Sequence, residues 1–197
     1  HPETMVRNAV RIINLTVFKI NDEKINQDIL SDVPYCLYFI NMACLLRSKV
    51  CVGIDKSYST PSQRIEDGAV SQSGSMVSNI STADSKSGDL NQYVKFDKLL
   101  DYIEDFEDIL EHIQEIFEIE NITTRRLLAN ALLHYFYIPV VVGTLTGKSL
   151  PPEFKISMNT ALFVLNKTFK MVEFEPFINS ICIALLAKDA PSRFIET

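Results

Sequence analysis

A chain of 197 residues, 47% of them hydrophobic and 22% charged, is long enough to bury a sizeable core without disulfide or metal staples. Its net charge of -6 argues against generic nucleic-acid binding. The four cysteines, Cys36, Cys44, Cys51 and Cys182, form no C-x-x-C pair and read as reduced core thiols of a cytosolic protein, which excludes a disulfide framework.

The chain opens on His1-Pro2-Glu3, with neither an initiator Met nor a targeting pattern, so the expectation is a piece of a longer protein. From Glu3 to Ile20, Val6, Val10, Ile13, Val17 and Ile20 recur at spacings of four and three, with Met5, Ala9 and Ile12 widening the stripe. That pattern predicts an amphipathic helix with a broad buried face. A short helix over Glu23–Leu30 is expected next. Asp32 as N-cap and Pro34 in the first turn then start an apolar helix through residue 46, too short to span a membrane and so assigned to the core.

Residues 55–90 change character, with ten serines between Ser57 and Ser87 and three glycines among them. They are expected to form a disordered insertion dividing a first helical part, 1–54, from a second, 91–197. From about Gln92 to Glu118, Leu99, Ile103, Phe106, Leu110, Ile113 and Phe117 fall at heptad a and d positions. Between Asp97 and Glu120 ten acids stand against one base, Lys98, leaving that segment at -9 and the rest at +3. The acids are expected to line the solvent side, with Asp101, Glu104, Asp108 and Glu111 as candidates for docking a basic partner.

Asn121 or Thr123 can cap the following helix, which turns Leu127, Leu128, Ala131, Leu132, Tyr135 and Phe136 inward until Pro139 breaks or kinks it. The stretch VVVGTLTGKS, residues 140–149, imitates a phosphate-cradling loop. Such a loop needs glycine, four residues, then Gly-Lys-Ser, whereas Gly143 stands only three residues before Gly147, so a helix-ending turn is expected instead. Met158, Ala161, Leu162, Leu165, Phe169 and Val172 define one face of the next helix. Pro176 opens the last, with Phe177, Ile178, Ile181, Cys182 and Leu185 buried.

No catalytic, cofactor or metal constellation emerges. His1, His112 and His134 lie far apart without ligand spacing, and His112 is expected on the acidic surface. A solvated row of carboxylates does not offer the concave setting that acid and base work requires.

The opening string His1, Pro2, Glu3, Thr4, Met5, Val6, Arg7, Ala9, Val10 and Arg11, closing with Val17, Phe18, Lys19 and Ile20, closely resembles the FPL-domain family of membrane-trafficking regulators. Echoes follow in Val33-Pro34-Tyr35, in Pro139 inside its apolar run, and in Phe177 with Asn179-Ser180. The resemblance implies a non-enzymatic cytosolic protein, peripheral on endosomal, lysosomal or Golgi membranes, that promotes endosome-to-lysosome traffic and autophagy. Its partners would be proteins of that machinery, with no nucleic acid and no cofactor. Within the string, Pro2 can start the helix, Glu3 and Arg7 can pair, and the apolar members read as core; Arg7 and Arg11, sharing a face, form a small basic patch as the alternative.

The fold expected is all-α: a solenoid-like, armadillo- or HEAT-like array of antiparallel helix pairs, each burying its face only by stacking on its neighbours. Rival readings are a nucleotide hydrolase, opposed by the glycine spacing; a ubiquitin-transfer component, opposed by the lack of a Cys/His zinc pattern; and an anionic-lipid-binding module, opposed by the -9 segment but allowed by the +3 elsewhere.

Overall fold

The structure, a computed structural model, describes residues 2–20, 33–58, 85–147 and 150–186. All regular elements among them are helical. Helix α1 is Pro2–Phe18 and α2 is Val33–Ser48, the latter continuing through a π-helical stretch, Lys49–Ile54, into a last α-turn, Asp55–Tyr58. Helix α3 is Ser85–Phe117 and α4 is Ile122–Leu132, which continues through a second π-helical stretch, Leu133–Val142, to Gly143–Leu145. Helices α5, Met158–Met171, and α6, Glu175–Leu186, complete the fold.

The expected helix over 23–30 lies outside the described residues, and so does most of the serine-rich stretch. Helical backbone nevertheless enters that stretch from both sides, over residues 55–58 and 85–90.

Helix α3 is the spine. Its expected inward residues Phe106, Leu110, Ile113 and Phe117 are buried and Leu99 and Ile103 half-buried, with Ile116 a further fully buried member. On one side α3 meets α1 and the π stretch of α2, and on another α5. Helix α2 lies against α4, with Phe39, Ala43, Leu46, Val50 and Ile54 fully buried along it.

The end of α3 is fastened by Arg125, whose guanidinium donates to the carbonyls of Ile119 and Glu118. Asn121 is the cap of α4, its side-chain oxygen accepting from the N–H groups of Thr123 and Thr124, both at 3.1 Å. These bonds satisfy backbone groups that a helix terminus otherwise leaves orphaned.

Four expectations need correction. Pro139 neither breaks nor sharply ends its helix: a proline ring collides with the carbonyl four residues back in an α-helix, and here the backbone widens into the π stretch and runs on to Leu145. The apolar helix at 33–46 is not short, because the continuous helix Leu37–Ser57 and its counterpart Ile122–Leu145 both have the length and composition to cross a membrane. Length therefore decides nothing; each helix buries one face in the core, and the first also exposes Leu37, Leu45 and Val52. On α5 the buried face is Thr160, Ala161, Val164, Leu165 and Thr168, turned so that Met158, Leu162 and Phe169 are exposed. Tyr135 likewise points outward, whereas Tyr137 is fully buried and bonds Thr168 Oγ1 at 2.7 Å.

Candidate functional site

The acidic face of α3 divides into two sets. Asp101, Glu104, Asp108 and Glu111, at spacings of three, four and three, form one exposed stripe along the helix. The expectation that the acids all line solvent fails for three others. Asp105 accepts from Lys49 Nζ at 2.5 Å, Glu115 accepts from Arg11 Nε at 2.6 Å, and Glu107 pairs with Lys167. These acids fasten α2, α1 and α5 to the spine, each pair half-exposed and so contributing modestly, about 0–1 kcal/mol. They set orientation more than stability.

Helix α1 departs most from expectation. Instead of a broad buried face, its stretch 5–13 exposes Met5, Val6, Val10, Ile12 and Ile13, at 76, 64, 50, 63 and 61%. Only its second half is seated, through the half-buried Leu15 and Val17 and the buried Phe18, whose ring lies 5.7 Å from that of Tyr38 and 5.5 Å from that of Phe39. The physical reason is that periodicity defines an apolar face without supplying a neighbour to cover it.

Of the opening string, His1 and the side chains of Pro2, Glu3, Thr4 and Arg7 lie outside the described residues. Met5, Val6, Ala9 and Val10 are exposed, so the core reading of the string's apolar members fails for these, and Lys19 is exposed as well. Arg11 is not free to serve a basic patch, because Glu115 holds it.

Where α1, α2 and α3 meet, a cleft of about 170 Å³ is lined by Asn8, Val10, Arg11, Asn14, Tyr38, Asp108 and His112. His112 is not the surface residue expected: its side chain is 12% exposed, its Nε2 lies 2.9 Å from the Tyr38 hydroxyl and its Nδ1 3.4 Å from Glu115 Oε2. Burial lowers the imidazole pKa, the bond to Glu115 works against that, and the Arg11 charge adds to the lowering. For Glu115 burial pushes the carboxyl up, but its bonds from Arg11 and His112 outweigh this and leave it below the ordinary range. Burial raises the Tyr38 phenol despite its bond with Asn14 and the Arg11 charge. No spacing in the sequence joins these groups, since Arg11, Tyr38 and His112 belong to three separate helices.

The glycine-lysine stretch ends a helix. Val142–Leu145 are helical, Thr146 N–H donates to Val142 O at 2.9 Å, and Gly147 takes a φ of +68° as residues past a helix end commonly do. Backbone donors engaged in this way cannot wrap a phosphate, and Lys148 and Ser149 lie outside the described residues. Titration with ATP or GTP analogues and magnesium is expected to show no saturable binding; a micromolar dissociation constant abolished by Lys148→Ala would refute this. Among the described residues no three His, Cys, Asp or Glu side chains group as a metal site. Cys44, Cys51 and Cys182 are half-buried free thiols, and burial pushes Cys51 up to about 11.

Human protein CLEC16A is 25% identical over 199 aligned residues, covering 100% of this chain. The similarity to CLEC16A runs along the whole length of this chain. The fruit-fly CLEC16A homolog is 24% identical over 96% of the chain, and Protein TRANSPARENT TESTA 9 of Arabidopsis thaliana 22% over 94%. The aligned region takes in the opening string and all six helices. The chain spans 16% of the length of human CLEC16A and 19% of that of the Arabidopsis protein. No family model and no solved structure matches the chain.

Proposed function

We propose that this chain is a non-enzymatic helical scaffold in endosome-to-lysosome trafficking and autophagy, acting by protein–protein contact. The observation that supports this best is the surface formed by the first half of α1 and the stripe on α3. Exposed apolar side chains, Val10 among them, stand across one cleft from Asp108, a member of an exposed row of four acids. Apolar area contributes affinity when covered, and a row of one charge contributes register and encounter rate. The similarity to CLEC16A supports the trafficking assignment.

In this reading the helices stack as pairs in a solenoid-like array, the partners belong to the endolysosomal and autophagy machinery, and the full-length protein is peripheral on endosomal, lysosomal or Golgi membranes. Proximity labelling with the full-length protein in cells tests the assignment; a labelled set without endolysosomal proteins sinks it. The surface itself is tested by reversing Asp101, Glu104, Asp108 and Glu111 to lysine together. These exposed carboxylates cost little stability singly. The helix is therefore expected to stay folded by circular dichroism, while association with basic partners becomes slower and less salt-sensitive. Unchanged association at low and physiological salt would leave the stripe a solvated face.

A further inference from the structure

We propose that the cleft between α2 and α4 is a second docking site, which takes an acidic segment of a partner protein through one bulky apolar side chain. The cleft has a volume of about 220 Å³. Its floor is apolar and closely packed: Phe39 of α2 is fully buried, Ala131 of α4 nearly so, and Leu127 is half-buried beside them. The size points to the occupant. A cavity of about 150 Å³ holds a benzene ring, whereas pockets for drug-sized ligands measure about 300–1,000 Å³. The cleft therefore suits a single aromatic or branched aliphatic side chain, the kind of anchor that carries affinity in protein contacts.

The edge formed by α4 is polar. Arg126, Asn130 and His134 follow one another at spacings of four and so stand in a row. Asn130 and His134 line the cleft, and His134 Nδ1 donates to the Asn130 carbonyl at 2.9 Å, which leaves Nε2 as the ring's acceptor. Arg126, one turn before Asn130, is exposed and enters no ion pair among the described residues.

Charge then selects the partner. Residues 33–54 and 121–145, which supply both walls, contain no aspartate or glutamate, although the chain has 25 such residues. Of the four cations in those two stretches three are already engaged: Arg47 lies over the Phe154 ring, Lys49 pairs with Asp105, and Arg125 donates to carbonyls. Arg126 is left to meet a ligand, and no acid of either wall competes for it. A basic segment would find no counter-charge here, whereas an acidic one finds a guanidinium beside an apolar cleft. This site lies apart from the stripe on α3, has the opposite charge preference, and does not depend on the reading proposed above.

Selection of random short peptides displayed on phage against the intact chain tests it. The enriched peptides are expected to include a class with one Phe, Leu or Trp flanked by Asp or Glu. Binding of a labelled peptide of that class, read by fluorescence anisotropy, should weaken at least about tenfold in Arg126→Glu, and again when its apolar residue is replaced by alanine. Tyr135→Ala, which removes a ring from the wall, should weaken it as well. Reversing Asp101, Glu104 and Glu111 to lysine should not. Circular dichroism confirms that each variant stays folded. Acidic peptides whose binding survives both Arg126→Glu and Tyr135→Ala overturn the site, as does octanoate displacing the peptide at equal concentration, which would give the cleft to a small amphiphile. Enrichment of basic peptides alone overturns it too, while leaving the α3 stripe as a docking surface.

Discussion

Phe106→Ala is expected to destabilise the fold by about 3–5 kcal/mol, the range for emptying a fully buried aromatic site. Phe106 has no solvent exposure, sits in the middle of the a/d row of α3, and lies 6.2 Å ring to ring from Phe163 of α5. Its removal takes away transfer free energy and also leaves a cavity that rigid neighbours cannot refill, because Leu110 and Ile113 are themselves held from several sides. For a chain of this size the loss corresponds to a fall in melting temperature of roughly 6–20 °C. Phe96→Ala, ten residues earlier on the same helix but 57% exposed, is the control and should cost less than about 0.5 kcal/mol. Equal effects at the two positions, or a cost at Phe106 below about 1.5 kcal/mol, would show that the heptad row does not carry the core.

The same row explains why α3 was legible before any coordinates. A spacing of three and four repeated over several turns has one physical solution, a helix burying that stripe, and the row Phe106, Leu110, Ile113 and Phe117 is buried as its pattern requires. Local chemistry was legible for a similar reason: Asn121 as cap and Gly147 as terminator act within a few residues of themselves. Helix α1 shows the limit. Its periodicity is equally clean, yet Met5, Val6, Val10, Ile12 and Ile13 are exposed, because a pattern states which face is apolar and not what covers it.

The ion pairs were illegible for another reason. Arg11 and Glu115 are 104 positions apart, and nothing in a run of ten acids distinguishes Asp105, Glu107 and Glu115 from the four that stay in solvent. Only the placement of Lys49, Lys167 and Arg11 on packed neighbouring helices makes the distinction. His112 follows the same logic: read alone it belongs to a charged surface, and it becomes buried only because α1 and the Tyr38 ring of α2 close over it. The two π-helical stretches also escaped notice. A proline hints at the second, but in the first, Lys49–Ile54, no residue forbids an ordinary α-turn.

That first stretch carries the second large effect: Gly53→Ala is expected to destabilise the protein by about 1–3 kcal/mol, the range for overpacking a tight site. The sign is what makes the measurement informative. Alanine in place of glycine inside a helix ordinarily stabilises by about 0.5–1 kcal/mol, because it reduces the freedom lost on folding. Here a Cβ at position 53 would stand 2.5 Å from both Cγ and Cδ1 of Tyr102. Cγ is near the root of the side chain, so the ring cannot swing clear by its outer torsion alone. It must change its first rotamer, which the preceding turn of α3 restricts, or the helices must part. Parting them would pull on the Lys49–Asp105 pair at 2.5 Å and move the Lys49 ammonium off the Tyr102 ring, which it approaches to 5.8 Å. A double-mutant cycle isolates this contact: in a Tyr102→Ala background, Gly53→Ala should become neutral or stabilising, giving a coupling of the order of 1–3 kcal/mol. A stabilising Gly53→Ala in the wild type would mean that the close approach of the π stretch to α3 does not exist in solution, and with it would go the reason for a glycine at this position.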